Sequence, residues 1–228
     1  MVKGKVRKKL GQEIKEEKEE VKKSIKKWWI FGLVGIIVVF LILIALYNYQ
    51  QSHFKYLDLE FSKIKMSSIP MSYAKIPLYD QNGNIATYYR LYLRNDPRDL
   101  EDVPINGQIR VKEKIVMASD EIKCEDANIA GAQLGDFWGS ILQVTQVMAA
   151  TTNRTLANEK EIEYATCNTK EILFLDSTVL IFKNGNTTKI TQEAKDCYEI
   201  TVKDCEILRA TERFILGLYA HTTGQEIN

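Results

Sequence analysis

The chain reads as an α+β ectodomain, built of antiparallel hairpins plus two or three packed helices, on a single N-terminal transmembrane helix. Three observations predict this. An uncharged run of twenty residues, Trp28 to Tyr47, lies near the start of the 228-residue chain. Two Asn-Gly pairs, Asn82-Gly83 and Asn184-Gly185, sit between β-rich runs. Apolar residues then recur at helical spacing in two later stretches, from Ala127 to Ile141 and from Ile207 to Leu218.

A helix rises about 1.5 Å per residue, so Trp28 to Tyr47 covers roughly 30 Å, the thickness of a bilayer's hydrocarbon core. Its interior is almost entirely Ile, Val, Leu and Phe, each contributing roughly −0.3 to −0.6 kcal/mol to insertion at mid-helix. Trp28, Trp29, Tyr47 and Tyr49 mark the ends, where amphipathic rings favour the headgroup zone. The run exceeds a signal-peptide core, and Ala45-Leu46-Tyr47-Asn48 offers no small-residue cleavage site. An uncleaved signal anchor is therefore expected.

Charge sets its direction. Residues 1–27 hold eleven Lys and Arg against five Glu, a net +6. The remainder holds twenty bases and twenty-five acids, a net −5. Just beyond the span only Lys55 and Lys63 occur. Positive charge stays inside, so the N-terminus is expected in the cytoplasm and the C-terminus outside. The tail 1–27 mixes signs and places Leu10, Ile14, Val21, Ile25 and Trp28 on one helical face. It reads as a charged, helical, solvated stalk rather than a nucleic-acid arm or a lipid binder. The expected organisation is a tail (1–27), a span (28–47) that contacts the lipid bilayer, a spacer (48–53), a mainly β subdomain (54–118) and an α+β subdomain (119–228).

Along the outer chain, Leu57, Leu59 and Phe61 alternate with Asp58 and Glu60, the pattern of a half-buried strand. Met66 to Pro70 breaks it. Tyr73–Tyr79 and Ile85–Leu93 flank Asp80-Gln81-Asn82-Gly83-Asn84 as the arms of a hairpin. Gly107 leads into a strand from Ile109 to Met117. From Asp120 a helix is expected, with Ala127, Gly131, Gly135 and Gly139 recurring every four residues. Each Gly costs a helix up to about 1 kcal/mol against Ala, so this stripe is expected to pack tightly on the protein's own sheet. Residues 151–170 read as irregular, with a short helix near Leu156. Ile172–Leu175 and Val179–Phe182 read as strands, the latter turning at Asn184-Gly185 into a partner arm, Thr187–Thr191. Tyr198–Val202 is a strand, and Asp204 is expected to cap the last helix.

Cys124, Cys167, Cys197 and Cys205 all fall on the outer side. An even count there reads as disulfides. Of the three possible pairings, Cys124–Cys167 with Cys197–Cys205 is expected, the second closing a strand-to-helix junction. Asn153-Arg154-Thr155 and Asn186-Thr187-Thr188 are glycosylation sequons, with Asn153 and Asn186 as acceptors. With two histidines, His53 and His221, and no clustered cysteines, no metal or other cofactor is expected.

Catalytic signatures are incomplete. Thr166-Cys167 looks like the nucleophile dipeptide of sortases, but no His lies between His53 and His221. Ser67-Ser68-Ile69-Pro70 has the Ser-to-Pro spacing of signal peptidases, for which Lys112 or Lys114 would be the base. The acidic loop Asp96, Arg98, Asp99, Glu101, Asp102 has the composition of a calcium loop, and equally of an ordinary solvated one. Phe137-Trp138 reads as core rather than as a sugar-stacking platform.

The Ile/Lys/Asn/Glu-rich composition and anchor-plus-ectodomain plan resemble uncharacterised single-pass membrane proteins of small-genome archaea. Residues 124–216 are similar in layout to the C-terminal module of archaeal S-layer proteins: Cys124, Asn128, Ala130, Leu134-Gly135, Cys167, Val179–Phe182, Glu199–Val202 and Arg209-Ala210 follow its order. Glu121-Ile122-Lys123 and Asp204-Cys205 depart from it, and the anchor is N-terminal rather than C-terminal. The resemblance implies a structural or adhesive role at the cell surface and carries no catalytic residue. The expected function is thus a membrane-anchored extracytoplasmic binding or structural protein of the envelope, with the surface-layer association that the resemblance implies, an envelope protein or glycan as partner and no nucleic acid. A tethered Ser/Lys hydrolase is the alternative. Oligomeric state is left open.

Overall fold

The computed structural model describes residues 29, 33–119, 122–168 and 176–225. The chain divides into two compact units, at Ser52/His53. The tail 1–27 and the strand expected at Ile172–Leu175 lie outside the described residues.

In the first unit, α1 runs from Leu33 to Ser52, long and apolar enough to cross a membrane, with a mean hydropathy of 2.2 and none of it buried. Its large apolar side chains, Leu33 to Leu46, are 42–72% exposed. The helix continues through Tyr47–Ser52, and a strand begins at His53. The expected spacer 48–53 is therefore not a linker: Asn48 to Ser52 are helical, because nothing from Tyr47 to Ser52 breaks a helix.

The second unit is α+β. Its first sheet is an antiparallel meander: β1 (His53–Tyr56), β2 (Leu59–Met66), β3 (Ile69–Tyr79) and β4 (Ile85–Leu93), in that order. The β3–β4 hairpin forms as the Asn-Gly pair requires: Gly83 has φ +79, and the Asp80 carboxylate accepts from the backbone N–H of Asn82 and Asn84 at 2.8 and 2.9 Å. Two further two-residue turns, Leu57-Asp58 and Ser67-Ser68, take positive φ without glycine; the second lies in the expected break Met66 to Pro70, whereas the first falls inside the single strand expected through Leu57, Leu59 and Phe61. A 3-10 helix, Pro97–Asp102, follows.

The second sheet has seven strands: β5 (Ile105–Asn106), β6 (Lys114–Ser119), β7 (Gln146–Thr151), β8 (Glu163–Tyr164), β9 (Thr178–Asn184), β10 (Lys189–Ala194) and β11 (Cys197–Val202), ordered β5-β10-β11-β9-β6-β7-β8. It is mixed and mostly parallel, not a set of hairpins; β10–β11 is its antiparallel pair. α2 (Ala127–Ile141) crosses from β6 to its parallel neighbour β7, and α3 (Arg154–Lys160) from β7 to β8. The boundary expected at 118/119 falls inside β6, so 54–118 is not a closed sheet of its own.

Asn184-Gly185 does not make a hairpin. β11 inserts between β9 and β10, so the loop steps over it. Gly185 donates to the Val202 carbonyl at 2.9 Å, and a Cβ there would run into Thr201 Cγ2. This glycine serves close approach rather than positive φ.

The main core lies between the sheets. Leu59, Phe61, Ala74, Ile76, Leu91 and Leu93 face it from the first sheet, and Ile115, Leu180, Phe182, Ile190, Tyr198 and Ile200 from the second. Between them lie α2, through Ala130, Leu134, Phe137 and Trp138, and α4 (Ile207–Thr223). Phe137 and Trp138 are core as expected. α4 is buried all round from Ala210 to Ala220, not on one face. It starts from Glu206 without a side-chain cap; Asp204 and Cys205 instead take left-handed φ of 47° and 62°. The α2 glycine stripe does not pack on its own sheet either. A Cβ at Gly131, Gly135 or Gly139 would meet nothing within 4 Å, because α2 buries its opposite face.

All four cysteines are bonded, but as Cys124–Cys205 and Cys167–Cys197. The expected Cys197–Cys205 bond is geometrically excluded. Cys197 opens β11 and Cys205 follows its far end; a strand advancing about 3.3 Å per residue leaves them far beyond the roughly 7 Å between Cα atoms that a disulfide spans. Peptide mapping of the non-reduced protein is expected to recover these two cross-links. Removing Cys124–Cys205, which spans 81 residues, should cost about 1 kcal/mol more than removing Cys167–Cys197, which spans 30, because loop entropy grows with the logarithm of length. Urea midpoints of the two double Cys→Ser variants test the order.

Candidate functional site

Among the described residues of the second unit, no helix or strand covers the outer face of the first sheet. Strand alternation sends Glu60, Ser62, Tyr73, Lys75, Pro77, Tyr88, Arg90 and Tyr92 to it, opposite the core-facing set. Tyr73 and Tyr92 pack with ring centroids 5.1 Å apart, and Tyr88 stands exposed across from Pro77. A cleft of about 400 Å³ opens on this face, lined by Asp58, Leu59, Glu60, Ser62, Tyr73, Lys75, Pro77 and Tyr219.

The cleft has a local cause. β2 and β3 pair from Met66↔Ile69 to Ser62↔Tyr73 and then part. β2 turns toward β1 over Leu59–Phe61, and β3 continues with β4 alone to Tyr79. Pro77, which has no N–H, sits where β3 has lost its neighbour, as a proline in a strand must. The ring of Tyr219, from the end of α4, also lines the cleft. Burial first, then the charge of Asp58, raises its phenol pKa. Asp58 accepts from Gln225 Nε2 at 2.5 Å.

Behind the sheet, two adjacent buried charges on α4 hold this edge of the fold. The Glu212 carboxylate accepts from the backbone N–H of Arg94 and Asn95, from Asn95 Nδ2 at 2.7 Å and from Gln133 Nε2 at 3.3 Å. Arg213 donates Nε to the Val103 carbonyl at 3.1 Å and Nη1 to the Tyr56 hydroxyl at 3.0 Å. Burial raises the pKa of Glu212 despite these donors.

The sequence-selected residues do not converge. Cys167 is in a disulfide, so it cannot act as a sortase thiolate. Ser67 stands exposed on the β2–β3 turn. Lys112 forms ion pairs with Asp176 and Asp196, 3.3 Å each, so it is not the desolvated amine a Ser/Lys hydrolase needs. His221 is exposed in the last turn of α4. Two acids of the acidic loop, Asp96 and Asp102, are engaged by cations. Asp96 caps the 3-10 helix and binds Arg98 at 2.6 Å and Lys63 at 2.9 Å. Burial alone would raise its pKa; the hydrogen bonds from Arg98 and Lys63 outweigh that and hold it well below the usual carboxylate range. Asp102 binds Arg209 at 2.6 Å. Among the described residues no group of three or more His, Cys, Asp and Glu could hold a metal.

Both sequon asparagines are exposed. Asn153 caps α3, its Oδ1 accepting from the N–H of Thr155 and Leu156. Asn186 lies in the loop that steps over β11, where the Thr188 hydroxyl binds Glu206. Sequence reasoning missed the cleft; Pro77 inside a β-rich run was the available signal. No protein-family model, curated protein or solved structure matches the chain.

A pH series isolates Glu212. Its raised folded pKa means that its stabilising contribution is complete below the ordinary Glu value and is lost as pH rises through the folded one. Glu212→Gln keeps an acceptor and cannot ionise. Its melting temperature relative to wild type should therefore rise between pH 4 and pH 7; a pH-independent difference would refute the assignment.

Proposed function

We propose that this is a single-pass membrane protein, N-terminus inside, whose disulfide-braced α+β unit lies outside the cytoplasm and binds an envelope component through the open face of its first sheet. The observation that carries this reading is α1. An apolar helix whose large side chains are exposed throughout, with mean hydropathy 2.2, needs an apolar solvent, and a bilayer supplies one. The surplus of basic residues in 1–27 supports the direction. Two closed disulfides among the described residues fit an oxidising compartment. The tyrosine-bearing face and its cleft supply a surface for a partner protein or glycan. We extend this reading to a scaffolding role beside a surface layer, and Asn153 and Asn186 stand exposed as glycosylation acceptors.

Protease added to intact cells tests the topology. It should remove an epitope placed after Asn228 and leave one placed before Met1. A C-terminal epitope that survives on intact cells, and is lost only after lysis, sinks the proposal. Binding to isolated envelope should fall at least tenfold in Tyr73→Ala/Tyr92→Ala and stay unchanged in Gly135→Ala, on the far side of α2.

A further inference from the structure

We infer that the cleft between β2 and β3 is a strand-addition site, which takes an extended peptide segment bearing a basic side chain onto the free edge of β3. The inference deepens the binding role proposed above and rests on it for the partner's location.

Main-chain direction can be followed along β3. The Tyr92 carbonyl accepts from Gln133 Nε2 at 3.1 Å. Among the described residues β4 has β3 as its sole strand neighbour, so this bond lies on its outer edge and Tyr92 points its backbone groups away from β3. In an antiparallel ladder the pointing direction alternates. Leu91 and Leu93 therefore bond to β3, and their partners Ala74 and Ser72 bond back to β4. Tyr73 and Lys75, between and beyond them, point the other way, toward β2. Tyr73 finds Ser62 there. Among the described residues Lys75 finds no strand there, because the β2–β3 ladder ends at that pair. The Lys75 N–H and C=O and the Pro77 C=O thus open into the cleft. Glu60, two residues before Ser62, points into it from β2.

Unpaired main-chain groups along a strand edge are a template for another strand. Natural edges are usually shortened, charged or covered. The two edges of the seven-stranded sheet, β5 and β8, are two residues each. The β3 edge is longer and lies within a cleft of about 400 Å³ whose walls include Tyr73, Pro77 and Tyr219. These surfaces suit the alternate side chains of an extended ligand, while its backbone pairs with Lys75 and Pro77. The charges choose the ligand. Among the lining residues, Asp58 in the β1–β2 turn and Glu60 on β2 stand against one lysine, Lys75 on β3, so the lining is net acidic and takes a basic side chain on the β2 side.

Random linear 12-residue peptides displayed on phage are panned against the full chain in phosphatidylcholine nanodiscs, with empty nanodiscs as the control. Enriched peptides should alternate apolar residues and carry Lys or Arg. Binding of the best synthetic peptide should slow amide exchange at Lys75 at least tenfold, leaving the already protected Ala74 and Ile76 unchanged. Lys75→Pro deletes an N–H that the β3–β4 ladder does not use; it should weaken binding more than tenfold, whereas Lys75→Ala should weaken it less than threefold. Glu60→Gln should weaken peptides with a basic residue selectively. The inference is overturned by failure to enrich any peptide over empty nanodiscs, by equal affinity for Lys75→Pro, or by binding without protection of Lys75. The exchange measurement uses the wild-type chain, so it decides even if Lys75→Pro does not fold. Such failures would leave the protease topology result standing, and a cytoplasmic C-terminus would leave peptide binding standing.

Discussion

The second unit depends on burying a helix that carries adjacent opposite charges. α4 lies between two sheets, with Glu212 and Arg213 both removed from water. Isolated buried charges cost several kcal/mol each, so every direction from these two side chains has to end on a partner. Glu212 finds donors at the end of β4 and on α2; Arg213 finds the Val103 carbonyl and a β1 tyrosine. The contacts are geometric as well as electrostatic. They dictate where β4 must end, where the 3-10 helix must exit and how β1 must lie. The first sheet is consequently held at its β1 and β4 sides, and its middle strands separate.

That separation creates the cleft. β2 follows β1, which Arg213 holds through Tyr56, and β3 follows β4, which Glu212 holds at Arg94 and Asn95. Between Ser62 and Leu59 the two pairs diverge, and Tyr219 from the end of α4 lies in the gap. The cleft thus arises from the constraint that stabilises the core. The disulfides act elsewhere: Cys124–Cys205 joins the approaches to α2 and α4, and Cys167–Cys197 joins the β8 exit to the start of β11 on the far face of the large sheet.

Where local rules govern, the sequence was readable. Asp80 and Gly83 specify the β3–β4 turn by a side-chain bond and a positive φ, and the helix from Ala127 to Ile141 follows from its apolar period. The turn at Leu57-Asp58 was hidden because its residues take positive φ with no glycine to signal it, whereas the stretch Met66 to Pro70 already marked a break at Ser67-Ser68. Asn184-Gly185 misled for the opposite reason: its glycine answers the proximity of Thr201, not a hairpin. The sheet containing β9 could not be ordered from local signals, since its strands are recruited from positions up to about a hundred residues apart.

By itself the sequence determined the properties that depend on composition and short spacing. These are an apolar helix of bilayer length, an α+β class, an even set of cysteines and the absence of a complete catalytic signature. Periodicity and transfer free energy act residue by residue, so they are legible in one dimension. Tertiary structure alone decided which cysteines pair, which strands are neighbours, that α4 is buried on all sides and that β2 and β3 part. Each of these rests on distances between remote segments, and those distances are set by the one packing that satisfies the buried charges and closes the core.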